Sequence, residues 1–186
     1  VIEILDKDGD TKEYEFCILK SENISSIFIN TQSGNMEYLH QNKENEESGH
    51  IDIVQNTGKV EYHGALESVT GRGNASWWQY NKKSYSFTLN KDYPICGMES
   101  GKKWNLHTIF LEGTKMATKI ALDMAEYMEM DASMNATWVD LYLNGEYAGV
   151  YLLSEAITID DNRVDIYDLE KENRQNNEEI DNSFMF

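Results

Sequence analysis

The stretch Gly71-Arg72-Gly73-Asn74-Ala75-Ser76-Trp77, followed closely by Lys82-Lys83, brings together residue types that can hold a phosphate. Glycines let backbone N–H groups approach an anion, and an arginine adds a planar fork that matches phosphate oxygens. On this reading the backbone of Gly71, Gly73 and Asn74 cradles the phosphates, with Arg72 or Ser76 assisting. Lys83 is the candidate phosphate-contacting lysine, because it shares one strand face with Tyr85, Phe87 and Leu89 while Ser84, Ser86 and Thr88 take the other. Lys82 takes the role if that face points outward. The same glycines equally suit a hairpin turn, and adjacent lysines equally suit a solvated surface.

The elements that would position these groups follow from the pattern on either side. Residues 1–5 and 14–19 read as strands joined by Asp6-Lys7-Asp8-Gly9-Asp10, whose Asp-Gly suits a tight turn. A calcium loop would need Gly at its sixth position and Glu at its twelfth, and Gly9 is fourth while Cys17 is twelfth. Residues 24–31, 51–54 and 60–66 read as further strands, and residues 41–48 as a solvated loop. Residues 103–110 read as a short buried strand or bridging segment. Residues 114–130 give the one convincing helix: Met116, Ile120, Met124, Tyr127 and Met128 fall at three- and four-residue spacings, Thr114 can cap its start, and the methionines read as core packing. Residues 138–143 and 147–153 make a hairpin across Asn144-Gly145.

The order of glycine loop, lysine strand, helix and hairpin is that of a protein-kinase small lobe, in which a helix offers a carboxylate to the lysine. Asp123 and Glu126 are candidates for that carboxylate, with Glu126 near the helix's later turns. The expected fold is therefore α+β: a mostly antiparallel sheet with one main helix, resembling an atypical kinase small lobe.

The blocks Gly71 to Trp77, Lys82-Lys83-Ser-Tyr, Lys103-Trp104-Asn-Leu, Leu141-Tyr-Leu-Asn-Gly-Glu-Tyr-Ala-Gly-Val-Tyr-Leu-Leu-Ser-Glu155 and Arg163-Val-Asp-Ile resemble, in order, the CotH family of spore-coat-protein-H-like atypical protein kinases. The resemblance implies transfer of the ATP γ-phosphoryl group, with magnesium, to Ser or Thr of a coat or cell-surface protein, and a bacterial surface, spore-coat or other extracellular setting. It adds Glu112 as an acid standing before the helix and marks Glu155 as a nucleotide contact, against the simpler reading of Glu155 as a salt-bridge partner of Arg163. Magnesium-binding and catalytic aspartates are expected downstream of Phe186, with the second lobe, so that residues 1–186 are expected to be inactive alone. Members carry Arg-Asn at the helix start where this chain has Ala117-Thr118. The alternative is accordingly a degenerate, non-catalytic module that binds protein or carbohydrate at the surface, with Trp77, Trp78 and Tyr80 as an exposed aromatic patch.

Composition narrows the field further. The 186 residues carry 16 basic and 33 acidic side chains, a formal net charge of −17 that repels nucleic acid and anionic membrane. A hydrophobic share of 40% supports a real core. No apolar run is long enough to insert into a membrane. Cys17 and Cys96 are either two thiols or one bridge, and His40, His50, His63 and His107 show no ligand spacing, so no metal ligand is expected among them. Three segments are expected: lead-in strands over 1–24, the nucleotide-binding lobe over 25–167, and an acidic mobile segment over 168–186. That last segment ends in a cut-off strand at Phe184-Met185-Phe186, whose open edge would permit a dimer.

Overall fold

The computed structural model describes residues 2–5, 11–14, 21–109, 113–130, 133–164 and 166. A two-stranded hairpin, β1 (Ile2–Leu5) with β2 (Thr11–Tyr14), precedes the main body. Seven strands then close into a barrel: β3 (Ser25–Thr31), β4 (Glu46–Val54), β5 (Val60–Arg72), β6 (Ser84–Tyr93), β7 (Gly101–His107), β8 (Ala136–Leu143) and β9 (Glu146–Glu155). Their order around the wall is β3-β4-β5-β6-β7-β9-β8.

Strict alternation builds this wall. In β6, Tyr85, Phe87 and Leu89 are at most 2% exposed, while the serines and threonine between them face out. Ile27, Ile29, Ile51, Ile53, Trp104, Leu106, Leu141 and Leu153 fill the interior from the other strands. Each such side chain contributes about 1.5–3 kcal/mol by leaving water. Shifts in register between Glu47 and Gly49 and between Leu66 and Ser68 mark bulges, which bend a sheet and help it to curl.

The expected α+β, kinase-like small lobe with one main helix is not what forms; the body is a closed seven-strand mixed barrel. All the neighbouring pairs of the wall are antiparallel except one: β3 runs parallel to β8, from Ser25 opposite Val139 to Ile29 opposite Leu143, and this pair shuts the barrel. Closure satisfies the backbone groups that an open sheet would leave at its two edges. Asn144 locks the seam. Its backbone N–H donates to Ile29 O at 2.8 Å, its Oδ1 accepts the Thr31 N–H at 2.8 Å, and its Nδ2 donates to Thr31 Oγ1 at 3.1 Å. Asn144 and Gly145 have φ of 49° and 83°, as a two-residue hairpin turn requires.

Among the described residues three short helices decorate the wall: α1 (Glu37–Gln41), α2 (Ala75–Gln79) and α3 (Ala117–Tyr127). The expected solvated loop over 41–48 is thus flanked by α1 and taken up partly by β4. The apolar stripe of α3 was expected in the core, but no residue of α3 is buried; Met116, Ile120, Met124 and Met128 are all more than two-fifths exposed. Cys96 is a free thiol, pushed up to about 11 by burial and by Glu61. The Asp6 to Asp10 turn, Cys17, Glu112 and the strand at Phe184 lie outside the described residues.

Candidate functional site

Lys82 and Lys83 precede β6 rather than lie within it, so the period of two that separates neighbours across a strand does not apply to them. Both line one cavity of about 540 Å³ at an end of the barrel, together with Asn35, His40, Asn81, Tyr85, Asn144, Glu146, Tyr147 and Tyr151. The Lys82 ammonium donates to Val150 O at 2.8 Å and sits 4.4 Å from the centre of the Tyr151 ring. The Lys83 ammonium donates to Trp77 O and lies over the Trp77 ring. Burial, helped by the nearby Lys115 charge, pulls Lys82 below its ordinary pKa. In a chain of net charge −17, this cavity gathers cations.

Its polar wall is already organised. His40 Nε2 and Tyr85 Oη are 2.8 Å apart, and burial together with Lys83 lowers the His40 pKa. Tyr151 Oη donates to Lys83 O at 2.9 Å, fixing the backbone that carries the lysine. Tyr147 Oη donates to Asp140 Oδ1 at 2.7 Å, and that carboxylate raises the phenol to about 12. His40, Tyr147 and Tyr151 were not among the residues expected here. Tyr147 and Tyr151 are four apart in one strand, which hints at a shared face, but only the barrel brings them to Lys82.

The glycine stretch does something else. Arg72 ends β5, Gly73 turns the chain at φ 102°, and α2 then drives Trp77 into the core at 1% exposure. A Cβ on Gly71 would stand 2.6 Å from Trp77 Cη2. Asn74 Oδ1 accepts from Lys43 Nζ at 3.1 Å, and the Ser76 hydroxyl fills the space beside Gly73. Trp77 therefore belongs to no exposed aromatic patch, although Trp78 is 63% exposed.

Arg72 does not meet Lys83. It lines a second pocket of about 270 Å³ on the outer wall, with Asn105, His107 and Ser154. Its Nε donates to Asn105 Oδ1 and its Nη1 to His107 Nδ1, each at 3.1 Å. Arginine can only donate, so His107 carries its proton on Nε2, which faces Ser154 Oγ at 3.0 Å. Burial first, and the Arg72 charge second, push His107 down to about 4.

Glu155 is committed to structure. It is 3% exposed, forms an ion pair with Arg163 Nη1, and accepts the backbone N–H groups of Glu99 at 3.1 Å and Asn135 at 2.9 Å. Arg163 stacks on Trp104 with its guanidinium 4.6 Å from the ring centre. Among the described residues Lys83 makes no ion pair with Glu126, which is exposed on α3, and Asp123 pairs with Lys119 instead. The structure thus joins Lys82 with Lys83 and leaves Arg72, Glu126 and Glu155 elsewhere.

Pairing of β4 with β5 also brings His50, Asp52 and His63 together on the outer wall, a convergence that sequence spacing did not show. His50 and Asp52, two apart, announce a common face; His63 joins them only through the register.

No helix among the described residues is long and apolar enough to cross a membrane. A search of the curated proteins found no match. A family model described as CotH kinase protein matches residues 60–182, about two thirds of the chain, from the start of β5 through the lysine pair and the Asn144-Gly145 hairpin. With that match covering the strands that frame the lysine cavity, the chain belongs to the CotH kinase protein family.

Proposed function

We propose that the cavity at Lys82 and Lys83 binds the polyphosphate of ATP, and that the protein serves transfer of the γ-phosphoryl group to a Ser or Thr hydroxyl of a coat or surface protein. The observation that carries the reading is that Lys82 and Lys83 both line one aromatic-walled cavity of a strongly acidic protein. Phosphoryl transfer depends on neutralising phosphate charge at a fixed position, and two lysines each anchored on a backbone carbonyl beside the same cavity support that reading. The volume falls in the range of about 300–1,000 Å³ usual for small-molecule sites. Tyr147, 57% exposed at the rim, offers a ring against which a base can stack.

Glu146 is the one carboxylate among the lining residues. Magnesium keeps most of its shell as water and phosphate oxygens, so it would enter with the nucleotide and not through a ligand set of this cavity. The acceptor protein and the surface setting follow from the family's character alone.

Calorimetric titration of ATP with magnesium into the full chain tests this, with Lys82→Ala, Lys83→Ala and the double variant alongside. Binding that weakens at least about tenfold in each single variant is the expected result. Unchanged affinity in a double variant that melts like the parent overturns the assignment.

A further inference from the structure

His50 and Asp52 project from the outward face of β4, and His63 stands directly opposite Asp52 on β5. Three ligand atoms converge there. His50 Nε2 lies 3.1 Å from His63 Nδ1, His63 Nδ1 lies 2.5 Å from Asp52 Oδ1, and His50 Nε2 lies 3.4 Å from the same oxygen. The two rings meet edge to face with centres 4.4 Å apart.

Hydrogen bonds to Asp52 Oδ1 can hold the cluster together, but they satisfy only one of the two contacts that His63 Nδ1 makes. His63 Nδ1 has one proton or one lone pair to offer, yet it faces both a second imidazole nitrogen and a carboxylate oxygen. A single cation at the common point satisfies all three at once. Ligand atoms around a tetrahedral zinc, at about 2.0–2.1 Å from the metal, stand about 3.3 Å from one another. The 3.1 Å and 3.4 Å separations already match, and only the His63–Asp52 pair must open. The His63 side chain, 71% exposed, is free to make that movement by rotation.

We propose that His50, Asp52 and His63 bind a zinc-class divalent ion on the outer wall of the barrel, with water completing the shell. Two imidazoles and one carboxylate suit zinc and its neighbours in the first transition row, whereas magnesium and calcium take oxygen ligands. Both strands are held in register by the barrel, so the three side chains are presented without ordering a loop. Bound metal would tie β4 to β5 by a bond outside the backbone ladder, and it would keep a position open to solvent on a face separate from the Lys82 cavity.

The test is titration of zinc chloride into chelator-stripped full chain, by calorimetry and by melting, with His63→Ala, His50→Ala and Asp52→Asn alongside. The expected result is one equivalent bound, a raised melting temperature, no competition from millimolar magnesium, and at least about tenfold weaker binding in each variant. Cobalt(II) in place of zinc should give the intense visible bands of a four-coordinate site in the parent and lose them in His63→Ala. Since all three side chains lie on the surface, the metal-free variants should melt like the parent. Zinc uptake that all three substitutions leave unchanged, or the absence of any one-equivalent binding, overturns the proposal.

Discussion

Gly71 stands where any side chain would collide with Trp77. A Cβ built on it lies 2.6 Å from Trp77 Cη2 and 2.8 Å from the Lys43 Cα, while the Gly71 N–H donates to Lys43 O at 3.1 Å. The indole occupies the space that a side chain at position 71 would take. Absence of a side chain at Gly71 therefore serves the barrel's core, and the bond to Lys43 fixes the chain beside it.

Gly71→Ala should destabilise the fold by about 1–3 kcal/mol, because the clash is with backbone on one side and a fully buried ring on the other. Denaturant unfolding measures the loss, and ATP titration of the folded variant should show the parent's affinity. A variant that keeps full stability but loses nucleotide would restore the phosphate-cradle reading of this glycine.

How far the sequence reveals this architecture depends on how local each cause is. Alternation of Tyr85, Phe87 and Leu89 with serines and threonine, and the Asn144-Gly145 turn, are local, and both strands and hairpin follow from them. Barrel closure is not local: it rests on Ser25 meeting Val139 in parallel, and parallel pairing leaves no turn signal between its partners. The helical spacing of Met116, Ile120 and Met124 shows which face of α3 is apolar but not what covers it. Strand parity points to Lys83, but Lys83 stands just before β6, and it is the fold around the cavity rather than parity that places it beside Tyr85. His63 could not be paired with Asp52 before the register was known. The Arg72 fork suits phosphate by type, yet Asn105 and His107 occupy it.

Glu155 and Arg163 form a buried pair whose loss should be costly and strongly coupled. Either Glu155→Ala or Arg163→Ala leaves a charge without its partner in a site where both side chains are under 5% exposed, at a cost of about 3–5 kcal/mol. Glu155→Ala also strands the N–H groups of Glu99 and Asn135. The double variant should lose little more than the worse single one. Equilibrium unfolding of all four proteins gives the cycle, and strictly additive losses would show that the pair does not act as a unit.

His107 should make the fold acid-sensitive. Its pKa falls from the ordinary 6.5 to about 4 in the folded chain, first through burial and then through Arg72, so the unfolded chain takes up its proton earlier as pH drops. The stabilising contribution is therefore complete above pH 6.5 and lost progressively between pH 6.5 and about 4. One proton is worth about 1.4 kcal/mol per pH unit, which amounts to about 3 kcal/mol across that window. His40, lowered by burial and by Lys83, acts in the same direction from the same upper limit. His107→Gln preserves a polar side chain beside Arg72 and Ser154 but cannot titrate. Unfolding free energies of parent and variant, measured from pH 7.5 to 4.5, should converge or cross as pH falls, because only the parent loses this contribution. Parallel curves over the whole range would mean that His107 titrates normally in the folded protein, and with it that the Arg72 contact does not hold Nδ1 unprotonated.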